Sequence, residues 1–232
     1  MKKITLFLIT LMLATQLPVR AQFMFGPQAG LSVATLTNTA DFNVTAKPEW
    51  HAGFMFDIGL GKHFSFMPAI LYSKRGYKYD YSTTYTTVQS SDTTLTTTAI
   101  ASVNANLGYI DIPVLLNIYF GDHSGFMVNA GAELSYLITD ASTVESSSSV
   151  SINGGAPSNP SDPQTTNDVK FNKSDIALVG GVGYKFKKLL LIYLRASTGL
   201  GKVQEENSFI QSKNAGHNFT FEAGLALTFG GK

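Results

Sequence analysis

The chain has no cysteine, a single tryptophan and few charges: 14% of its 232 residues are Asp, Glu, Lys or Arg, 17 basic against 16 acidic. The missing cysteine excludes disulfide frameworks, thiolate zinc sites and cysteine nucleophiles together. A net charge of +1 provides no basic field for a phosphate backbone, so nucleic acid is not an expected partner. Beyond the N-terminus no apolar run reaches the ~18 residues that a transmembrane helix needs. The scarcity of charge is not a sign of disorder, because 44% of the residues are hydrophobic and 12% aromatic. Ser, Thr, Asn and Gly meet the polar requirement instead. The length suits one closed all-β domain.

The first residues read as an address. Lys2 and Lys3 form a positive start, Ile4 to Leu17 an apolar core too short to span a bilayer comfortably, and Val19, Arg20 and Ala21 a small-residue cleavage site before Gln22. This pattern predicts a cleaved signal peptide over residues 1–21 and a mature domain over 22–232.

From there the chain alternates. Ile110, Ile112, Val114, Leu116, Ile118 and Phe120 occupy one face, and Tyr109, Asp111, Pro113, Leu115, Asn117 and Tyr119 the other. A period of two over such a length has no helical reading. The same rule holds for 26–36, 53–61, 126–139, 176–186, 190–198 and 218–229, and for 64–79, where Met67, Ala69 and Leu71 fit either face. These are eight strands. Short connections at 61–63, 121–125 and 187–188 alternate with long ones near 37–51, 80–106, 140–173 and 201–216. That asymmetry predicts an all-β, eight-stranded antiparallel up-and-down transmembrane β-barrel.

A soluble barrel of eight strands also alternates, so the contents of the faces must decide. One face is almost uncharged, and the other carries about one charge per strand among Gly, Ser, Asn and Ala, too few to solvate an exterior. In a barrel this narrow, small residues and scattered charges suit a packed lumen, with Leu, Ile, Val and Phe turned to outer-membrane lipid. Phe120, Phe126, Phe186 and Phe229 lie at the short-turn ends, where an interfacial girdle belongs.

Gly30-Leu31-Ser32, the run from Pro68 to Gly76, the run from Tyr109 to Leu116, the run from Gly131 to Leu137 and the closing run from Gly224 to Phe229 resemble a known family. It comprises the porin-like, PorT-type outer-membrane β-barrel proteins of Bacteroidetes. The resemblance covers the mature chain, with the fourth-strand motif its most specific part. It departs at Ala69, where family members often carry Glu, and at Gly230-Gly231-Lys232, which follow the aromatic residue on which members often end. The resemblance implies an outer-membrane location, recognition of Phe229 by the barrel-assembly machinery as an assembly signal, and a link in some relatives to secretion or envelope proteins. It implies no reaction and no cofactor.

Asp57, Asp111, Glu133, Arg195 and Glu222 all fall on the polar face. They predict a salt-bridge network inside the barrel, because charges in a low-dielectric interior are tolerated when paired. Arg195 and Glu222, on sequence-adjacent strands, are the expected pair. A narrow solute pore is the alternative use of the same residues. The four histidines, His51, His63, His123 and His217, lack metal-ligand spacing, and the strand pattern puts two at each rim, so no metal site or catalytic residue is assigned. An outer-membrane lipid-modifying hydrolase built on His51 or His217 with a loop serine is a further alternative. The Ser- and Thr-rich stretch around Tyr85 reads as an extension of the third and fourth strands beyond the bilayer, and Ser146 to Ser149 as a low-complexity surface loop.

Overall fold

A computed structural model describes residues 22–37, 43–90, 93–156, 164–166, 171–203 and 216–231; the expected signal peptide, 1–21, lies outside them. Eleven strands run along the described chain: β1 (Phe23–Thr37), β2 (Asn43–Gly59), β3 (Phe64–Ser90), β4 (Thr93–Tyr119), β5 (Gly125–Asp140), β6 (Thr143–Ile152), β7 (Gln164–Thr166), β8 (Ser174–Phe186), β9 (Leu190–Gly199), β10 (His217–Leu227) and β11 (Phe229–Gly230). Eight of them, β1 to β5 and β8 to β10, close an antiparallel ring, because β1 pairs with both β2 and β10. Closure leaves no sheet edge within the membrane, where an unpaired backbone group has no water to turn to. β11 continues the last strand along β1, with Phe25 opposite Phe229.

The face assignment follows the alternation read from the sequence. Along β4, Asp111, Leu115, Asn117 and Tyr119 are buried, while Ile112, Val114, Leu116 and Ile118 are exposed on the outer surface. In β3, where the pattern was ambiguous, Ser65, Met67, Ala69, Leu71, Ser73 and Arg75 point inward. The outer surface forms a continuous apolar belt. Aromatic contacts at its short-turn end include Phe120 with Phe126 at 5.5 Å and Tyr184 with Phe186 at 4.6 Å. Trp50 and Tyr72, 5.4 Å apart, mark the opposite end.

Two expectations about connections are corrected. The segment before His51 is strand rather than loop: β2 starts at Asn43 and absorbs a register irregularity between Lys47 and His51 against β3. A bulge of this kind adds a residue to one strand while its pairing continues. Ser146 to Ser149 likewise belong to β6, opposite Ala101 to Thr98 of β4. Val144, Val150 and Ile152 interrupt the serines, and a serine hydroxyl sits comfortably on a sheet surface facing water. The expected extension of the third and fourth strands is realised in full, since β3 and β4 are each 27 residues long.

The turn between β8 and β9 has positive φ at two consecutive non-glycine residues, Lys187 (46°) and Lys188 (59°). These two residues form the centre of a β-turn closed by the Leu189 N–H donating to the Phe186 carbonyl at 2.9 Å, with Phe186 opposite Leu190 in the ladder, and the positive φ values give the turn the twist of its strands.

Candidate functional site

Two regions concentrate polar chemistry: the barrel interior and the part of the sheet that rises above its long-loop rim. Interior residues arrive there by parity, since every second residue of each strand points in.

At the short-turn end of the lumen, Lys185 of β8 reaches Asp57 of β2 at 2.7 Å, with both side chains fully buried. Tyr119 Oη donates to the same carboxylate at 2.9 Å, and Lys185 Nζ lies 3.4 Å from Met24 Sδ. Met55, Met67, Leu115, Met127 and Leu191 belong to one buried apolar cluster with Tyr119. Flexible methionines suit the irregular space inside a closed barrel.

Midway up, Arg75 of β3 is the hub. Its Nη2 lies 3.0 Å from Asp111 Oδ1 and 2.9 Å from Glu133 Oε1, and donates to Ser135 Oγ at 3.0 Å. Its guanidinium also stands 4.6 Å from the centre of the Tyr109 ring, and the Ser73 hydroxyl donates to Asp111. A guanidinium suits this position because it keeps its charge when buried, its Nη2 serves three oxygens, and its face can stack on an aromatic ring.

Across the lumen, Arg195 and Glu222 are opposite one another in register. They form no ion pair within 4.0 Å; among the described residues the pairs are Arg75 with Asp111 and Glu133, Lys185 with Asp57, and Lys188 with Asp122. Arg195 instead lies over the Tyr193 ring, its guanidinium carbon 4.1 Å from the ring centre. Tyr193 Oη and His51 Nε2 are 2.7 Å apart. Glycine makes this layout possible. A Cβ on Gly224 would sit 2.4 Å from Tyr193 Oη, and one on Gly181 would sit 2.9 Å from Arg195 Cγ.

All five expected interior charges are therefore buried, but they are divided. Asp57 pairs with Lys185, Asp111 and Glu133 share Arg75, and Arg195 and Glu222 stand apart. The two cations that organise the lumen were absent from the expected set. Arg75 lay on the strand of uncertain facing. Lys185 lies two residues before a lysine turn and resembles a rim charge, although its parity with Gly183 already placed it inside. His51 is not at a rim: it is buried in the lumen against Tyr193, because the bulge in β2 carries the strand past it. His63, His123 and His217 each bond a nearby backbone carbonyl at the rims.

Towards the long-loop end the interior turns aromatic and apolar. Tyr77, Tyr79, Val103, Ala105, Leu107 and Tyr109 pack there with Phe171 and Val203.

Above the rim the barrel gives way to a blade. Pairing of β2 with β3 ends at Asn43 and Asp80, while β3 and β4 continue together to Ser90 and Thr93. β6 adds along β4, and β7 along β6. One face of the blade is a grid of hydroxyls, with Thr84, Thr98 and Ser149 in one cross-strand row and Thr86, Thr96 and Ser151 in the next. Thr84 and Thr98 hydroxyls are 3.3 Å apart. On β3, Tyr85 and Val88 are 64% and 71% exposed, so these apolar side chains of the projecting part lie open, and β3 and β4 are joined there by their hydrogen-bond ladder.

The chain matches one protein family, described as outer membrane protein beta-barrel domain, over residues 15–205. No curated protein matches it. Among solved structures, it is similar to the attachment invasion locus protein Ail of Yersinia pestis, with 9% identity, 90% of this chain and 99% of that one covered, and a TM-score of 0.44. It is also similar to Neisserial surface protein A, with 17% identity, coverages of 89% and 97%, and a TM-score of 0.35. For OprG from Pseudomonas aeruginosa the identity is 10%, the coverages are 90% and 96%, and the TM-score is 0.39.

Proposed function

The chain belongs to the outer membrane protein beta-barrel domain family and resides in the outer membrane, and from that premise we propose that it is a non-enzymatic surface protein whose working part is the blade. The carrying observation is that β3 and β4 run together well beyond the closed ring, with β6 beside them. In outer-membrane barrels the long connections are extracellular and the short turns periplasmic, so the blade stands outside the cell. Membrane anchoring alone needs no such structure, because ~9–11 residues per strand suffice to cross.

In this reading the barrel is an anchor with a plugged lumen. Asp57, Lys185, Tyr119 and four methionines occupy its short-turn end, and the Arg75 cluster its middle, leaving side chains rather than a channel along the axis. The apolar belt takes outer-membrane lipid, and Phe229, paired into β1, serves the assembly machinery as its recognition signal. The fourth-strand motif from Tyr109 to Leu116 supports a place among PorT-type members, with an accessory role towards secretion or envelope proteins. The hydrolase alternative loses His51 to the lumen.

The test compares the full chain with a variant in which residues 82–99 are replaced by a two-residue turn. Planar-bilayer recordings and adhesion of expressing cells are measured for both. The expected result is no conductance from either protein and adhesion lost with the blade. Stepwise conductance from the full chain would favour the narrow solute pore.

A further inference from the structure

The two edges of the blade differ. On the β6 side, β7 pairs with Val144 to Ser146. On the β3 side, residues 82–88 pair with β4 alone among the described residues, the described pairing of β2 with β3 reaching only to Asn43 and Asp80. Native sheets protect such an edge with lysine, proline, a bulge or a covering segment. From Tyr81 to Val88 there is neither a charge nor a proline, and the register irregularity in β3 lies only beyond Val88. Among the described residues this is an uncharged strand edge of regular register whose outward row of backbone donors and acceptors has no strand beside it.

Its sequence identifies what fits it. Thr83-Thr84-Tyr85-Thr86-Thr87 reads the same in both directions. Two copies of this strand laid antiparallel about a two-fold axis through Tyr85 place Thr83 opposite Thr87, Thr84 opposite Thr86, and Tyr85 opposite itself. Thr–Thr and aromatic pairs are favourable cross-strand neighbours, and no like charges meet. A two-fold contact must be self-complementary in this way. Membrane geometry fixes where the copies reside. Strands tilt by ~35–45° in such barrels, so two copies in one membrane both point their β3 strands outward and cannot bring them antiparallel. Copies in two facing membranes can.

We propose that the β3 edge of the blade recognises the same edge of a second copy on an apposed membrane, so that the protein joins outer-membrane surfaces to one another by antiparallel strand pairing centred on Tyr85. The identification of the partner rests on the reading of the blade as the working surface.

The experiment uses full-length protein in two vesicle populations carrying donor- and acceptor-labelled lipids. Vesicles bearing the natural sequence are expected to dock with one another. Those bearing only Tyr85→Lys, or only Tyr85→Glu, should fall to the level of protein-free vesicles, because like charges then face each other across the axis. Mixing the Tyr85→Lys and Tyr85→Glu populations should restore docking. Tyr85 lies outside the barrel, and heat-modifiable gel migration of each variant verifies that the ring has closed. Failure of the natural protein to dock, undiminished self-docking of either variant, or no rescue on mixing would overturn the proposal. Docking abolished by removing residues 82–99 yet indifferent to charge at position 85 would overturn self-recognition and leave the blade reading standing. Docking that survives their removal would overturn both.

Discussion

Arg75 and Glu133 belong to β3 and β5, strands separated by β4, and their side chains nevertheless meet at 2.9 Å inside the barrel. Asp111 of the intervening strand joins the same guanidinium at 3.0 Å. One cation thus holds carboxylates from two strands, and its removal would leave buried anions without a counter-charge.

Arg75→Met is expected to destabilise the folded barrel by about 3–5 kcal/mol, the usual penalty for removing one partner of a buried pair. Arg195→Met should cost at least ~2 kcal/mol less, because Arg195 holds no carboxylate within pairing distance. Urea titrations of both variants in detergent, followed by heat-modifiable migration, give the comparison. Equal losses would mean that the interior charges act as one diffuse network.

Lys185→Met should be as damaging as Arg75→Met, since Asp57 would keep only the Tyr119 hydroxyl. The double variant Lys185→Met with Asp57→Asn removes both charges and should recover most of the loss, with a coupling of roughly 1–3 kcal/mol in a double-mutant cycle. Additive losses would show that the two side chains matter separately.

Lys187→Asn should stabilise the β8–β9 hairpin by about 0.5–1 kcal/mol, because asparagine tolerates the positive φ that lysine adopts there. A rise in the urea midpoint with unchanged electrophoretic mobility is the expected reading. A fall would mean that the Lys187 side chain makes a contact more valuable than the relief of its backbone.

Gly224→Ala is expected to dislodge Tyr193, whose hydroxyl occupies the space that the new methyl group needs. The contact between Tyr193 and His51 should then be lost, with a cost of ~1–3 kcal/mol typical of overpacking. Tyr193→Phe alone loses only the hydrogen bond, and because the ring carbon Cζ would also fall 2.5 Å from the new methyl group, the double variant should stay destabilised. Full recovery in the double variant would mean that the ring moves aside freely once its hydroxyl is gone.

Phe229→Ala should lower the yield of closed barrel in cells, whereas deletion of Gly231 and Lys232 should leave it nearly intact, because only the former removes a side chain at the lipid-facing end of the seam. The measurement is the heat-modifiable fraction in the outer-membrane pellet. Equal yields would remove Phe229 from the assembly reading.

Period-two alternation was legible wherever one face was purely apolar. Ile112 to Ile118 left no freedom, because slipping by one residue would turn Asp111 and Asn117 into lipid. β3 was harder to read: Met67, Ala69 and Leu71 are apolar enough for either environment, and Arg75, flanked by Lys74 and Gly76, looks like part of a basic rim. The hub of the interior was hidden for that reason. Separation in sequence also concealed partners, because Lys185 and Asp57 are neighbours only after eight strands have closed into a ring. The pairing of Arg195 with Glu222 failed for a local reason, since register brings two strands together but rotamers decide contact, and the Tyr193 ring offers Arg195 a flat face. β6 was missed because serine-rich composition says little about hydrogen bonding to a neighbour that already projects into water.

The seam of the barrel is uneven. β10 pairs with β1 through ten consecutive residues, from Gln28 to Thr37 on β1. The chain then breaks step at Thr228, whose backbone N–H and hydroxyl turn to carbonyls of the β8–β9 turn, before two residues of β11 resume along Met24 and Phe25. The ring that has no free edge is therefore sewn at its seam in two stitches of unequal length, a long one through the membrane and a short one at the foot of the first and last strands, and the short one ties the end of the chain to its first described strand.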